Sequence, residues 1–248
     1  MEIFEGDEKK VKVLDKMIAN DFGFEEVYHV STQTYPRKLD VQVLQVLSNI
    51  CISVEKMAKD IRLLQHDKEL EEPFEKGQIG SSAMAYKRNP MRSERATALA
   101  RYGRNQLRNA EDTAVDQWLE RTLDDSANRR LSIPEGFLST DSVLILSGNI
   151  VDGLVVYNKI IEKRLQEELP FMVTENIMMD AVAKGGNRQE LHERIRKHSM
   201  ETGWSIKMNG NDNDLLERIA GDQIFGITLE EAKVYCNPMK LVAGALGR

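Results

Sequence analysis

Beginning at Arg37, apolar residues recur at Leu44, Leu47, Cys51, Val54, Ala58 and Ile61, alternately three and four apart, which predicts one long helix with a continuous apolar seam. Val43, Val46, Ile50, Met57 and Leu64 widen that stripe, so the helix needs several neighbours and belongs in a bundle. A second run, from Phe137 to Leu169, is apolar nearly all round, with Ser139 and Thr140 as N-caps and Pro170 as its stop; a helix of this kind belongs at the centre of a bundle or assembly. Between them, 91–118 reads as helix, with Pro90 suited to its first turn. Shorter helices follow Pro170, at 174–184 ended by Gly185 and Gly186, at about 189–208, and at about 214–220 after a polar NGNDND turn. Residues 1–20 read as a loop entering a short helix, and Phe22–Val30 as a short extended piece. The pattern predicts an all-α protein: a long-helix bundle over 1–169 and a small helical domain over 170–248.

With 248 residues, 41% of them hydrophobic, the chain can bury a sizeable core. A net charge of −6 argues against broad attraction to nucleic acid. That charge is uneven. Between 78 and 108, seven cations (Lys87, Arg88, Arg92, Arg95, Arg101, Arg104, Arg108) face one acid, Glu94, and such a positive island suits a small polyanionic substrate. Arg101, Arg104 and Arg108 share a helix face and read as a solvated basic surface. Two cysteines make no disulfide framework, and no signal peptide or long uncharged apolar run is present, so the expected setting is a reducing cytoplasm with no membrane role.

The candidate chemistry lies in GQIGSSAMAYKRNPMRSER, residues 77–95. Glycines give the backbone freedom, and two serines are followed by Lys87, Arg88, Asn89, Arg92 and Arg95: loop chemistry aimed at an anion. A serine takes a proton from carbon only where cations and N–H groups favour its alkoxide in a dry site, and Lys87 supplies such a charge. Lys87 and Asn89 are also the residue types to hold the doubly charged carboxylate that forms when the adjacent carbon loses its proton. A second polar stretch, WLERTLDDSANRRLSIPEG from Trp118, holds three arginines with Ser126 and Asn128 and reads as a functional loop, although each arginine could instead pair with Glu120, Asp124 or Asp125. Neither a metal-ligand spacing nor a glycine-rich nucleotide fingerprint is present, so no metal and no cofactor are expected.

From Ser81 to Pro90 the chain closely resembles the serine loop of the fumarase/aspartase superfamily, Gly-Ser-Ser-x-Met-Pro-x-Lys-x-Asn-Pro, with Ala85 in place of the usual proline. The segments FEGD at 4–7, LDKM at 14–17, TQTYPRK at 32–38, the whole of 71–95, QWLERTLDDSANRR at 117–130, DGLVVY at 152–157, EELPFM at 167–172 and NGNDND at 209–214 narrow this to a resemblance to the adenylosuccinate lyases of the animal type, over roughly residues 4–222.

That resemblance implies β-elimination of fumarate from adenylosuccinate, giving AMP, and from the succinyl-carboxamide ribotide SAICAR, giving AICAR, in purine biosynthesis. It carries the role of base to Ser81, with Ser82 the alternative, and substrate contacts to Gln33, Lys87, Asn89, Arg95, Arg121, Ser126 and Arg130. It implies a homotetramer whose active sites are shared among subunits. It also implies a general-acid histidine N-terminal to anything present here, since His29, His66, His192 and His198 fall outside its motif; the chain then reads as a C-terminal portion. The alternatives are another lyase of the superfamily, such as argininosuccinate lyase, against which the phosphate-type residues speak, and a non-catalytic, tetramer-forming fragment.

Overall fold

The computed structural model describes residues 2–75, 77–78, 83–84 and 86–238. In order, the elements are a 3-10 turn at Glu2–Phe4, α1 (Glu8–Asp21), α2 (Lys38–His66), β1 (Leu70–Glu71), α3 (Met91–Val115), α4 (Asp124–Ala127), α5 (Arg129–Asp152), β2 (Val155–Val156), α6 (Asn158–Met172), α7 (Thr174–Ala183), α8 (Arg188–Asn209), α9 (Leu215–Gly221), a 3-10 turn at Gln223–Phe225, and α10 (Leu229–Tyr235). The all-α expectation holds. Contacts divide the chain into one unit of residues 1–65 and 71–154, and another of 66–70 and 155–248.

The first unit is built on α2, α3 and α5. The seam of α2 is buried at Leu44, Cys51, Val54, Ala58 and Ile61. The buried face of α3 is made of small residues, Ser93, Ala96, Thr97, Ala100, Gly103 and Ala110, so its neighbours approach closely. Gly103 marks that approach, because a Cβ there would sit 2.6 Å from Ser139 Oγ and 3.1 Å from Cys51 Sγ. Cys51, Val54, Ala100 and Val143 form the apolar centre where the three helices meet, with Met57 and Leu99 packed against it. The basic face of α3 is an ion-pair surface: Arg104 lies 3.0 Å from the buried Glu55 and Arg108 2.8 Å from Asp112.

Three expectations fail here. Phe22–Val30 is not a strand but turns and bends after the end of α1. The polar stretch from Trp118 to Gly136 is a loop only as far as Leu123, because α4 and then α5 begin inside it, with Pro134 within α5. Gly136 serves packing rather than a turn, since a Cβ there would lie 2.6 Å from Leu44 Cδ2. The long apolar run is also two helices. Its break falls at Gly153, which is backed onto Pro73 so closely that a Cβ would lie 2.5 Å from the proline Cβ; Val155 and Val156 then extend, as β-branched residues favour.

In the second unit, α6 passes through Pro170 and ends at Met172 rather than stopping at the proline. Helices α7, α8, α9 and α10 enclose a core of Val173, Ile177, Leu191, Ile195, Leu215, Ile219, Phe225 and Ile227. Their ends follow capping chemistry. The Asn187 side chain accepts from Gln189 N and Glu190 N, Gly210 closes α8 at a left-handed φ of 69°, and Thr228 with Glu231 forms a reciprocal capping box. The NGNDND turn is tied in by Asn213, which donates to Glu167 O at 2.7 Å, and by Asp214, which accepts from Thr202 Oγ1 at 2.9 Å.

Candidate functional site

Two groups of candidate residues lie in the first unit. The first is built where the TQTYPRK strap meets the stretch 117–130. Gln117 locks the strap, accepting from Arg37 N at 2.7 Å while its amide donates to Thr34 Oγ1 at 3.2 Å and to Tyr35 O at 3.1 Å. Arg37 then reaches inward to Asp125; the two side chains are 6% and 0% exposed, with Nε to Oδ2 at 2.8 Å. Tyr35 lies between two guanidinium groups, Arg37 at 4.8 Å and Arg129 at 5.4 Å from the ring centre, and its hydroxyl donates to Asp40 at 2.8 Å. Arg129 closes the lattice on Asp40 Oδ2 at 2.9 Å and on the Tyr35 hydroxyl. Burial and the Asp40 carboxylate push the Tyr35 phenol above its ordinary value, so it stays a protonated donor at neutral pH. The hydrogen bond to Asp40 likewise raises Arg129.

This lattice positions the predicted contacts. Gln33 N donates to Glu120 Oε1 at 3.1 Å and Thr32 Oγ1 to Glu120 O at 3.3 Å, which brings Gln33 against the neighbour of Arg121. Arg121 and Ser126 are half-buried, and Arg130 is exposed in the first turn of α5. Glu120 is thus occupied by the strap, and Asp125 by Arg37. The ion pairs open to Arg121 at sequence level do not form. Among the described residues, Lys87, Arg95, Arg121 and Arg130 have no ion-pair partner, whereas Arg37, Arg88, Arg92, Arg104, Arg108 and Arg129 are all paired. The cations assigned to an anionic ligand are therefore among those the fold leaves uncommitted.

The second group is the entry to α3. Lys87 is exposed, with its N–H donating to Met84 O at 3.0 Å; Asn89 is half-buried, its carbonyl accepting from Met91 N at 2.8 Å; Arg95 is exposed just past the first turn of α3. Ser81, Ser82 and Ala85 lie outside the described residues. Glu72, which sequence reasoning passed over, is 4% exposed and accepts from Arg92 N at 2.7 Å, Ser93 N at 2.9 Å and Ser93 Oγ at 3.1 Å. Gln65, also buried, accepts from Glu72 N at 3.1 Å and donates to Arg88 O at 3.3 Å. No local pattern marks Glu72, because the α3 amides it accepts from lie about twenty residues further along the chain.

Among the described residues, no cluster of histidine, cysteine or carboxylate side chains could hold a metal ion. His29, His66 and His192 are exposed, and His198 is half-buried against Asp222 at 3.0 Å in the second unit.

Residues 9–102 match the family described as "Lyase" and residues 170–245 the family described as "Adenylosuccinate lyase C-terminus". The adenylosuccinate lyase of Schizosaccharomyces pombe is 54% identical over 229 residues, 92% of this chain and 48% of that protein; that of Saccharomyces cerevisiae is 51% identical over 243 residues, 98% and 50%; that of Schistosoma mansoni is 50% identical over 226 residues, 91% and 47%. The chain thus spans about half the length of the curated relatives it matches. Among solved structures, a fumarate lyase from Mesorhizobium sp. BNC1 superposes with a TM-score of 0.66 at 21% identity, covering 82% of this chain and 44% of that one. A 3-carboxy-cis,cis-muconate lactonizing enzyme from Pseudomonas putida does so at 0.66 and 19%, covering 80% and 42%. These two establish the helical fold, and the sequence relatives are specific: the chain belongs to the adenylosuccinate lyase family of the fumarase/aspartase superfamily.

Proposed function

We propose that this chain supplies one part of an active site that eliminates fumarate from adenylosuccinate, leaving AMP, and from SAICAR, leaving AICAR, in purine nucleotide biosynthesis in the cytoplasm. The observation that carries the reading is the set of uncommitted cations at the positions where the family resemblance places substrate contacts, in a fold that pairs their neighbours. Arg121, Ser126 and Arg130 hold the phosphate, the arginines by their planar forks and the serine by a hydroxyl. Gln33 hydrogen-bonds the substrate, and Arg95 meets the nucleotide. Ser81 takes the proton from the succinyl carbon next to a carboxylate; Lys87 and Asn89 stabilise the doubly charged carboxylate that forms. The carbon–nitrogen bond then breaks, the electron pair leaves with nitrogen, and a general acid returns a proton to the amine. No cofactor enters this scheme. The lines of division at sequence level, a bundle part bearing the serine loop over 1–169 and a helical part over 170–248, belong to the same reading.

The assembly is a homotetramer with shared sites. Exposed apolar side chains support this: Phe137, Leu138, Leu144, Ile145 and Val151 on α5, and Val43, Val46 and Ile52 on α2, lie uncovered in the single chain. In the decisive experiment, fumarate release from adenylosuccinate is followed by absorbance, for the purified 248-residue chain alone and mixed with the yeast relative carrying alanine at the serine matching Ser81. Activity restored by mixing is expected. Absence of fumarate in both preparations would sink the reading.

A further inference from the structure

The geometry points to Glu72 as a positioning residue for the substrate loop: from one foot of the loop its carboxylate caps the helix that forms the other foot, and so fixes the backbone that carries Lys87 and Asn89. The inference rests on the reading of 77–95 as that loop. A buried carboxylate ordinarily sits beside a cation, yet among the described residues Glu72 has no ion-pair partner. Its charge is balanced instead by the first free amides of α3, Arg92 N and Ser93 N, and by the Ser93 hydroxyl. Those amides need an outside partner, because Pro90 occupies the capping position and makes no side-chain cap.

A serine or aspartate at position 89 or 90 could have capped the helix locally. Taking the cap from twenty residues upstream ties Glu72 directly to the first turn of α3. The rest of the clasp agrees. Gln65 joins both feet, through Glu72 N and Arg88 O. Arg92 Nη1 donates to Pro73 O at 2.5 Å, and its other nitrogen pairs with Glu75. Arg88 pairs with Glu71 at 3.0 Å and stacks 4.9 Å over Phe74. Arg88 therefore has its carbonyl and both the edge and the face of its guanidinium engaged, while Lys87 and Asn89 on either side of it keep their side chains for the ligand. Glu72 touches no substrate in this arrangement; it acts through Arg92, Ser93 and Gln65.

The test compares wild type, Glu72→Ala and the milder Glu72→Gln in the 248-residue chain. Amide hydrogen exchange read by mass spectrometry should accelerate about tenfold or more over 86–93 in Glu72→Ala, the loss expected when charge-assisted hydrogen bonds go, and should stay at wild-type rates over 98–112 and 174–183. In the preparation that releases fumarate, kcat should fall about tenfold while KM changes by less than about threefold, with Glu72→Gln, which keeps one acceptor oxygen, intermediate. Unchanged exchange over 86–93 overturns the clasp, and uniform acceleration along α3 reduces Glu72 to a fold residue. Loosened 86–93 with unchanged kcat overturns the positioning role. The exchange reading needs no turnover, so an inactive preparation counts against the proposed function alone.

Discussion

Arg121 and Asp125 stand four positions apart in one polar stretch, yet the fold uses them in opposite ways. Asp125 is fully buried against Arg37, and among the described residues its second oxygen has no hydrogen-bond partner, so the pair is held by a single directed contact. Asp125→Asn should cost about 3 kcal/mol, since removing one charge leaves the buried Arg37 uncompensated, and the midpoint of urea unfolding would register it. Arg121→Ala should leave that midpoint within about 0.5 kcal/mol, because no ion pair is lost. Its effect belongs in binding: AMP affinity should drop far more than fumarate affinity, as titration calorimetry would show, and an equal loss of both would remove Arg121 from the phosphate. The family resemblance named Arg121, Ser126 and Arg130, whereas the residues alone do not separate them from Arg129, whose charge is spent on Asp40 and Tyr35. Which arginine is free depends on partners some ninety residues away, and no local pattern carries that.

At the scale of elements, the seam of α2 was legible because burial along one helix repeats with the helical period. The start of α5 was not. Pro134 and Gly136 look like turn residues, but the glycine is there because Leu44 of α2 fills the space beside it. The apolar run 137–169 hid a break for the complementary reason: Gly153 is set by Pro73, a tertiary contact, while hydrophobicity continues across it. Two glycines inside helices test this distinction. Gly103→Ala would drive a Cβ to 2.6 Å from Ser139 Oγ, whose own bonds to Glu135 O and Gly136 O resist movement, and should destabilise the chain by about 1–3 kcal/mol. Gly203→Ala in α8 meets open space and should stabilise it by about 0.5–1 kcal/mol, the ordinary gain from replacing a helical glycine. Thermal midpoints moving in the same direction for both would contradict the packing described.

At the scale of the whole molecule, and among the described residues, five carboxylates of the second unit are held below their ordinary range. A hydrogen bond from Lys184 depresses Asp180, one from Arg196 depresses Glu193, one from Arg218 depresses Asp214, and the Thr228 amide depresses Glu231. For Asp222, burial works toward protonation, but His198, the Ile224 amide and Arg194 together outweigh it and the net shift is downward. In the first unit Glu55, held by Lys59 and Arg104, is shifted the same way. A carboxyl group with a folded pKa below its unfolded value contributes its full stability above the unfolded value, about 4, and loses it as pH falls through the lower folded value. Acid should therefore loosen the second unit as these carboxyl groups protonate. Amide exchange followed from pH 7 to about 3 is expected to rise over 174–235 while 44–61 and 96–110 remain protected. Asp214→Asn and Asp222→Asn should each lower protection at pH 7 and flatten its further fall in acid, because the charge that acid would neutralise is already gone. Equal protection loss in both segments, or earlier loss in α2 and α3, would mean that these ion pairs do not set the acid limit of the fold.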